Sequence, residues 1–186
     1  MRYVITQQMW RAARRILALL ALLLLLLGST GAAIIAQGGR DEAQRADIAV
    51  ILVDGPPLAA AARTDRAIAL YLQGRVSQLV VVGRDPIAAQ TILLNRGVQS
   101  LKLAALQAPD QAGQLAQLQA TLNGQRSQDV ALLAEPVEML RLLKMAQDRG
   151  LRLMPMPTSN AAEIDLGAVV DETVQYLRYA LGWESP

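Results

Sequence analysis

Hydrophobic and polar positions sort into one long apolar block, followed by a regular alternation of short apolar runs and amphipathic stretches. The block, residues 16–36 (ILALLALLLLLLGSTGAAIIA), carries no charge. At about 1.5 Å of rise per residue, a helix of this length matches a hydrocarbon core of about 30 Å. Beyond it, residues 47–55 (DIAVILVDG) form a continuous β-rich run, the mark of a strand buried on both faces. Residues 64–73 (TDRAIALYLQ) have apolar positions at helical spacing, stopped by Gly74. Residues 78–83 (QLVVVG) predict a second strand, and Asp85-Pro86 opens a helix that ends near Asn95, with Gly97 closing it. A weaker strand at 101–106 and a Gln- and Ala-rich helix at 109–122 follow, broken by Asn123-Gly124. Residues 129–134 (DVALLA) predict a fourth strand and 136–149 a fourth helix. Residues 151–157 (LRLMPMP) predict a fifth strand, shortened by its prolines, and 165–181 a last helix.

This alternation predicts an α/β protein: one N-terminal transmembrane helix, then a doubly wound, Rossmann-like parallel sheet of four or five strands. The chain divides into a basic N-terminus (1–15), a transmembrane helix (16–36), a short polar linker (37–46) and an α/β domain (47–186).

Charge sharpens the first part. Residues 1–40 hold five arginines and no acid, whereas the remainder has 13 basic and 16 acidic side chains. Arg11, Arg14 and Arg15 flank the start of the apolar block, and Tyr3 and Trp10 suit the interface. This places the N-terminus in the cytoplasm and the domain outside the cytoplasmic membrane. A cleaved signal peptide is the rival reading, but the apolar run is longer than a usual signal core. The mildly acidic domain excludes nucleic acid as a partner. Within the helix, Gly28, Ser29, Gly31, Ala32 and Ala33 are small enough for close packing, which predicts that they contact a second membrane helix.

Composition removes most catalytic chemistry. The chain has no Cys and no His, and only Tyr and Trp among its few aromatics. Disulfides, thiolate metal sites, a Cys nucleophile and the commonest acid/base group are excluded. No serine has a His to activate it, and Lys102 and Lys144 lie away from the strand-end loops. Met139, Met145, Met154 and Met156 read as core filler.

In a sheet of this kind, ligands bind at the carboxyl ends of the strands, near the switch in strand order. The loops there are Asp54-Gly55-Pro56-Pro57, Gly83-Arg84-Asp85-Pro86 and Ala134-Glu135-Pro136, and none is a phosphate-binding glycine motif. Asp85-Pro86 and Glu135-Pro136 share one form, an acid before a proline at the first helical position, which predicts that both acids cap helices. A carboxylate there occupies the place an anion would take. Asp54, Asp85, Glu135 and Glu138 also suit a hard-cation site, but Arg63, Arg66, Arg84 and Arg141 on the same edge favour ion pairing. No cofactor is implied.

Several framework residues stand in an order and spacing similar to the YdcF/SanA/ElyC-like family. They are a strand ending at Gly55, then Arg63, Arg66-Ala67, Tyr71 and Gly74, a strand ending at Gly83, and Gly97-Val98. Met139 and Arg141 stand where the family has His-Met-x-Arg-Ala, followed by Arg149-Gly150, Pro157-Thr158, Glu172 and Tyr176. The resemblance covers roughly residues 47–182 and implies a membrane-associated bacterial envelope protein with a Rossmann-like domain. The polar site of the family is not kept. Its Ser-Gly-Gly turn resembles Val82-Gly83-Arg84 with Asp85 behind it, its Glu…Ser…Thr…Asn series has no counterpart in 105–114, and its Thr-Ser-x-x-His stretch reads Ala134-Glu135-Pro136-Val137-Glu138. Asp54, Asp85, Glu135, Glu138, Arg141 and Glu172 are then remnants, with Arg141 and Glu172 as fold-stabilising partners. The expected function is a membrane-anchored, non-catalytic module: an accessory or scaffold subunit of a larger membrane assembly, such as an energy-transducing complex. The alternative is an envelope enzyme or ligand-binding protein acting on a lipid-linked or glycan substrate.

Overall fold

A computed structural model describes residues 2–41, 45–54, 57–122, 129–159 and 165–183, with side chains from Trp10 onward. The expected turn at Asn123-Gly124, the Gly55-Pro56 part of the first strand-end loop and residues 42–44 of the linker lie outside the described residues.

The elements are α1 (Arg2–Gly38), β1 (Ala46–Leu52), α2 (Pro57–Leu72), β2 (Val76–Gly83), α3 (Pro86–Asn95), β3 (Leu103–Gln107), α4 (Gln111–Leu122), β4 (Val130–Ala134), α5 (Met139–Asp148), β5 (Met154–Pro157) and α6 (Leu166–Ala180). The five strands form one parallel sheet in the order β3-β2-β1-β4-β5. β1 is central: Ile48 pairs with Gln78 on one side and Val130 on the other. The order reverses between β1 and β4, so their carboxyl ends flank the crevice of a doubly wound, Rossmann-like sheet.

Alternation along β1 explains its continuous apolar run. Ala49 and Ile51 enter a core with Ala67, Leu70 and Leu93 of α2 and α3, while Ile48, Val50 and Leu52 enter a second core with Leu115, Leu118, Met139 and Leu142 of α4 and α5. Both faces of the strand are dry, so neither set of positions is polar. Met139, Met145 and Met156 are buried in these cores and Met154 packs at the edge of one.

The structure moves several predicted boundaries. α2 begins at Pro57 rather than at residue 64, because Pro57 suits a first helical turn and the Ala-rich stretch after it is a strong helix former with little periodicity of its own. Residues 100–102 form a 3-10 turn rather than the start of β3, and residues 151–153 are not strand. α5 begins at Met139 rather than Pro136. Residues 136–138 make a preceding turn, in which Glu138 N–H donates to the Glu135 carbonyl at 3.1 Å.

Among the described residues, one helix, Trp10–Gly38, is long and apolar enough to cross a membrane. It continues unbroken from the basic N-terminal stretch. Its last turns pack on α5 and α6 rather than standing free. Ile34 is fully buried there. A Cβ added to Gly31 would touch Val169 Cγ1 at 3.5 Å and Thr173 Oγ1 at 3.7 Å. Gly38 lies tighter still: a Cβ there would fall 2.8 Å from the Pro136 carbonyl carbon and closer to its oxygen. The residues read as the start of a free linker are therefore a helix end packed on the β4–α5 turn.

Candidate functional site

The carboxyl ends of β1 and β4 are organised around Arg63, on the second turn of α2. Its side chain is 2% exposed. Nη1 donates to the carbonyls of Leu52 (2.6 Å) and Asp54 (2.8 Å), and Nη2 donates to Glu138 Oε2 at 2.6 Å. Glu135 Oε1 stands 4.0 Å from the same Nη2. The cation thus closes the end of β1, where two carbonyls run out of strand partners, and neutralises an acid 75 residues away in sequence. Burial, the largest influence, pushes the Glu138 carboxyl above its ordinary value, and the nearby Glu135 adds to this; Arg63 and, less strongly, Arg141 oppose it. Desolvation outweighs the short Arg63 contact in this balance.

Asp54 is engaged on the other side. Its Oδ1 accepts from the Arg84 backbone N–H at 2.8 Å, and its Oδ2 accepts from the Gln114 side-chain amide. Gln114 is fully buried on α4, in the row that otherwise presents Leu115, Leu118 and Leu122 to the core. The Arg84 guanidinium turns away to the Pro109 carbonyl at 3.2–3.3 Å. Arg66 also points elsewhere, to Asp41 at 3.6 Å.

Arg141 and Glu172 form a second buried unit beside the first. Arg141 Nε donates to Glu172 Oε1 at 2.5 Å, Nη2 to Oε2 at 3.3 Å, and Nη1 to the Gln111 side-chain oxygen at 2.5 Å. This pair joins α5 to α6, and Gln111 ties α4 to both. Tyr179 adds an outer link, its hydroxyl donating to Asp148 at 2.8 Å.

Two sequence-based expectations about capping are corrected. Asp85 holds the N-cap position of α3 but its side chain accepts no capping hydrogen bond and is exposed. Its backbone, at φ −134° and ψ 83°, does not aim the carboxylate at the first turn; the buried ring of Pro86 fixes the helix start instead. Glu135 caps nothing, because the helix begins a turn later with Glu138 at its N-cap, and Glu138 also spends its carboxylate on Arg63. The acids that cap are Asp165, accepting from Ala168 N–H at 3.1 Å, and Asp110, accepting from Gly113 N–H at 2.7 Å.

Of the six remnant residues, Glu135 and Glu138 gather at Arg63, Asp54 meets it only through its backbone carbonyl, Arg141 and Glu172 pair next to them, and Asp85 stands apart on the surface. Among the described residues, no group of three or more acids assembles to hold a metal ion. Sequence reasoning missed Gln114, whose signal was a Gln at a core position of a helix read only as Gln-rich.

Two hollows adjoin this edge. A cavity of about 360 Å³ lies between Leu58, Ala59 and Ala62 of α2, Glu135, Pro136 and Val137 after β4, Thr158 and Ser159 after β5, and Asp165 and Ala168 of α6. A larger one, about 620 Å³, runs between α4 and α5 past Arg141, Arg149 and Tyr179. On α1, Gly28, Ser29, Ala32 and Ala33 are exposed, whereas Gly31 faces this chain's own α6. No protein-family model matches the chain, and no curated protein is significantly similar to it.

Proposed function

We propose that this chain is a membrane-anchored, non-catalytic module that serves as an accessory or scaffold subunit of a larger membrane assembly, with α1 as the anchor. The observation that carries the reading is the state of the switch-point crevice. Both terminal nitrogens of Arg63, one oxygen of Glu138 and both oxygens of Asp54 are engaged by the chain itself: by strand-end carbonyls, by the Arg84 backbone, by Gln114 and by one another. A catalytic acid or base needs a free lone pair or proton aimed at substrate. Here the charged groups close the fold. The basic flank Arg11, Arg14 and Arg15 favours an N-terminus in the cytoplasm and a domain outside. The exposed small residues Gly28, Ser29, Ala32 and Ala33 offer a surface to a partner helix.

The second reading, an envelope enzyme or ligand-binding protein like those of the YdcF/SanA/ElyC-like family, is favoured by the 360 Å³ cavity, where Glu135, Thr158 and Ser159 meet at the strand ends. Native purification of the full chain in mild detergent, with identification of everything that travels with it, separates the two. Stoichiometric membrane-protein subunits support the module; a chain that purifies alone with a small molecule in the strand-end cavity overturns it.

A further inference from the structure

We infer that α6 is seated in the surface of the lipid bilayer that α1 enters, with the row Leu166, Val170, Val174 and Leu181 in contact with lipid. This rests on the anchoring reading above.

The row is apolar and uncovered along the whole helix. Leu166, Val170, Val174 and Leu181 are 72%, 63%, 41% and 58% exposed. At about 100° per residue these positions fall within one narrow sector of the helix. The adjoining sector holds Val169 and Thr173, the residues against Gly31 of α1. The exposed row therefore borders the contact that the docked end of α1, from Gly31 onward, makes with α6.

Length decides what covers it. α1 is docked on the domain from Gly31 to Gly38. That leaves residues 16–30 as free uncharged helix, about 22 Å, against a hydrocarbon core of about 30 Å. The helix completes its span only if the protein surface beside Gly31 shares the outer hydrocarbon boundary. An interfacial helix sinks its apolar face about 5–10 Å into that boundary, which matches the missing length. The charges of α6 permit this. Glu172 is buried against Arg141, while Arg178 and Asp171 lie about 40° and 60° round the helix from Val174, on the flank of the row away from Val169 and Thr173, where an interfacial helix carries its polar face.

The absence of Cys from the chain allows single-site labelling. Leu166→Cys and Val170→Cys, each carrying a nitroxide, are compared in the full chain in phospholipid nanodiscs with Leu20→Cys on α1. Leu101→Cys, 95% exposed at the opposite edge of the sheet, is the aqueous reference. Accessibility to oxygen, which concentrates in lipid, is measured against a water-soluble nickel chelate. Labels at 20, 166 and 170 should favour oxygen and the label at 101 nickel. If 166 and 170 behave like 101 while 20 stays in lipid, the seating is wrong and the anchor stands. If nickel reaches 20 as well, the anchoring reading and this inference fall together. Labels at 166 and 170 shielded from both reagents would mean that protein covers the row, which overturns lipid contact.

Discussion

Replacing Arg63 by Met keeps the apolar stem of the side chain, removes the guanidinium beyond it and deletes three interactions at once. The carbonyls of Leu52 and Asp54 lose donors at 2.6 and 2.8 Å, and Glu138 loses its cation at 2.6 Å. Removing one partner of a buried pair costs about 3–5 kcal/mol, and each orphaned carbonyl up to about 1–3 kcal/mol more where water cannot reach it. Glu138 keeps 21% of its side-chain exposure, which moves the ionic part to the low end. The expected loss at neutral pH is about 4 kcal/mol, read from urea denaturation of the full chain in mild detergent by far-UV circular dichroism. The loss should depend on pH with a definite sign. Burial already raises the Glu138 carboxyl above 4.5, so the folded state holds that proton more tightly than the unfolded state does. A raised acid contributes most to stability when protonated, and that contribution fades as pH rises through the window between 4.5 and the raised value. Without Arg63 the window widens upward. The deficit of Arg63→Met should therefore shrink toward acidic pH, and Arg63→Met with Glu138→Gln should be more stable at neutral pH than Arg63→Met alone. A deficit under about 1 kcal/mol, or one that is flat in pH with no rescue in the double variant, would refute the hub.

Four further outcomes follow from the same geometry. Gly38→Ala forces a Cβ into the backbone of Pro136 and should loosen α1 from the domain at a cost of about 1–3 kcal/mol, seen as faster proteolysis between residues 39 and 45, whereas Gly31→Ala meets only ordinary contacts and should be silent. Asp165→Ala should cost about 0.5–2 kcal/mol as a lost cap, and Asp85→Ala less than about 0.5 kcal/mol; equal effects in the melting curves would contradict the capping geometry. Protease added outside spheroplasts should digest residues 39–186, and protection there with digestion from the cytoplasmic side would reverse the topology. Millimolar Mg²⁺ or Ca²⁺ should leave the melting temperature unchanged; a rise abolished by Glu138→Gln would show that a cation binds there in spite of the Arg63–Glu138 pair.

The sequence by itself determined the element order and the fold class, because both are written in local patterns. Continuous runs such as AVIL and LVVV describe strands buried on both faces, Gly74, Gly97 and Gly150 stop helices at positive φ, and 21 uncharged residues describe a span-length helix. Boundaries slipped where local signals conflict with packing: an alanine run lacks periodicity, so α2 was legible only from its second half, and Glu135-Pro136 has the form of a helix start without being one. The tertiary structure alone decided what the polar residues do. Arg63 and Glu138 are 75 residues apart, Gln114 and Asp54 are 60 apart, and Arg141 and Glu172 are 31 apart. Each pair is joined only because β4 was inserted beside β1 and the helices fold back over the strand ends. A carboxylate's role depends on which donor lies within about 3 Å, and no local spacing carries that information. The same reason hid the docking of α1. Gly31 and Gly38 have the composition of a membrane-helix contact and of a linker, and it is the position of Val169 and Pro136 that makes both of them the seat of the domain.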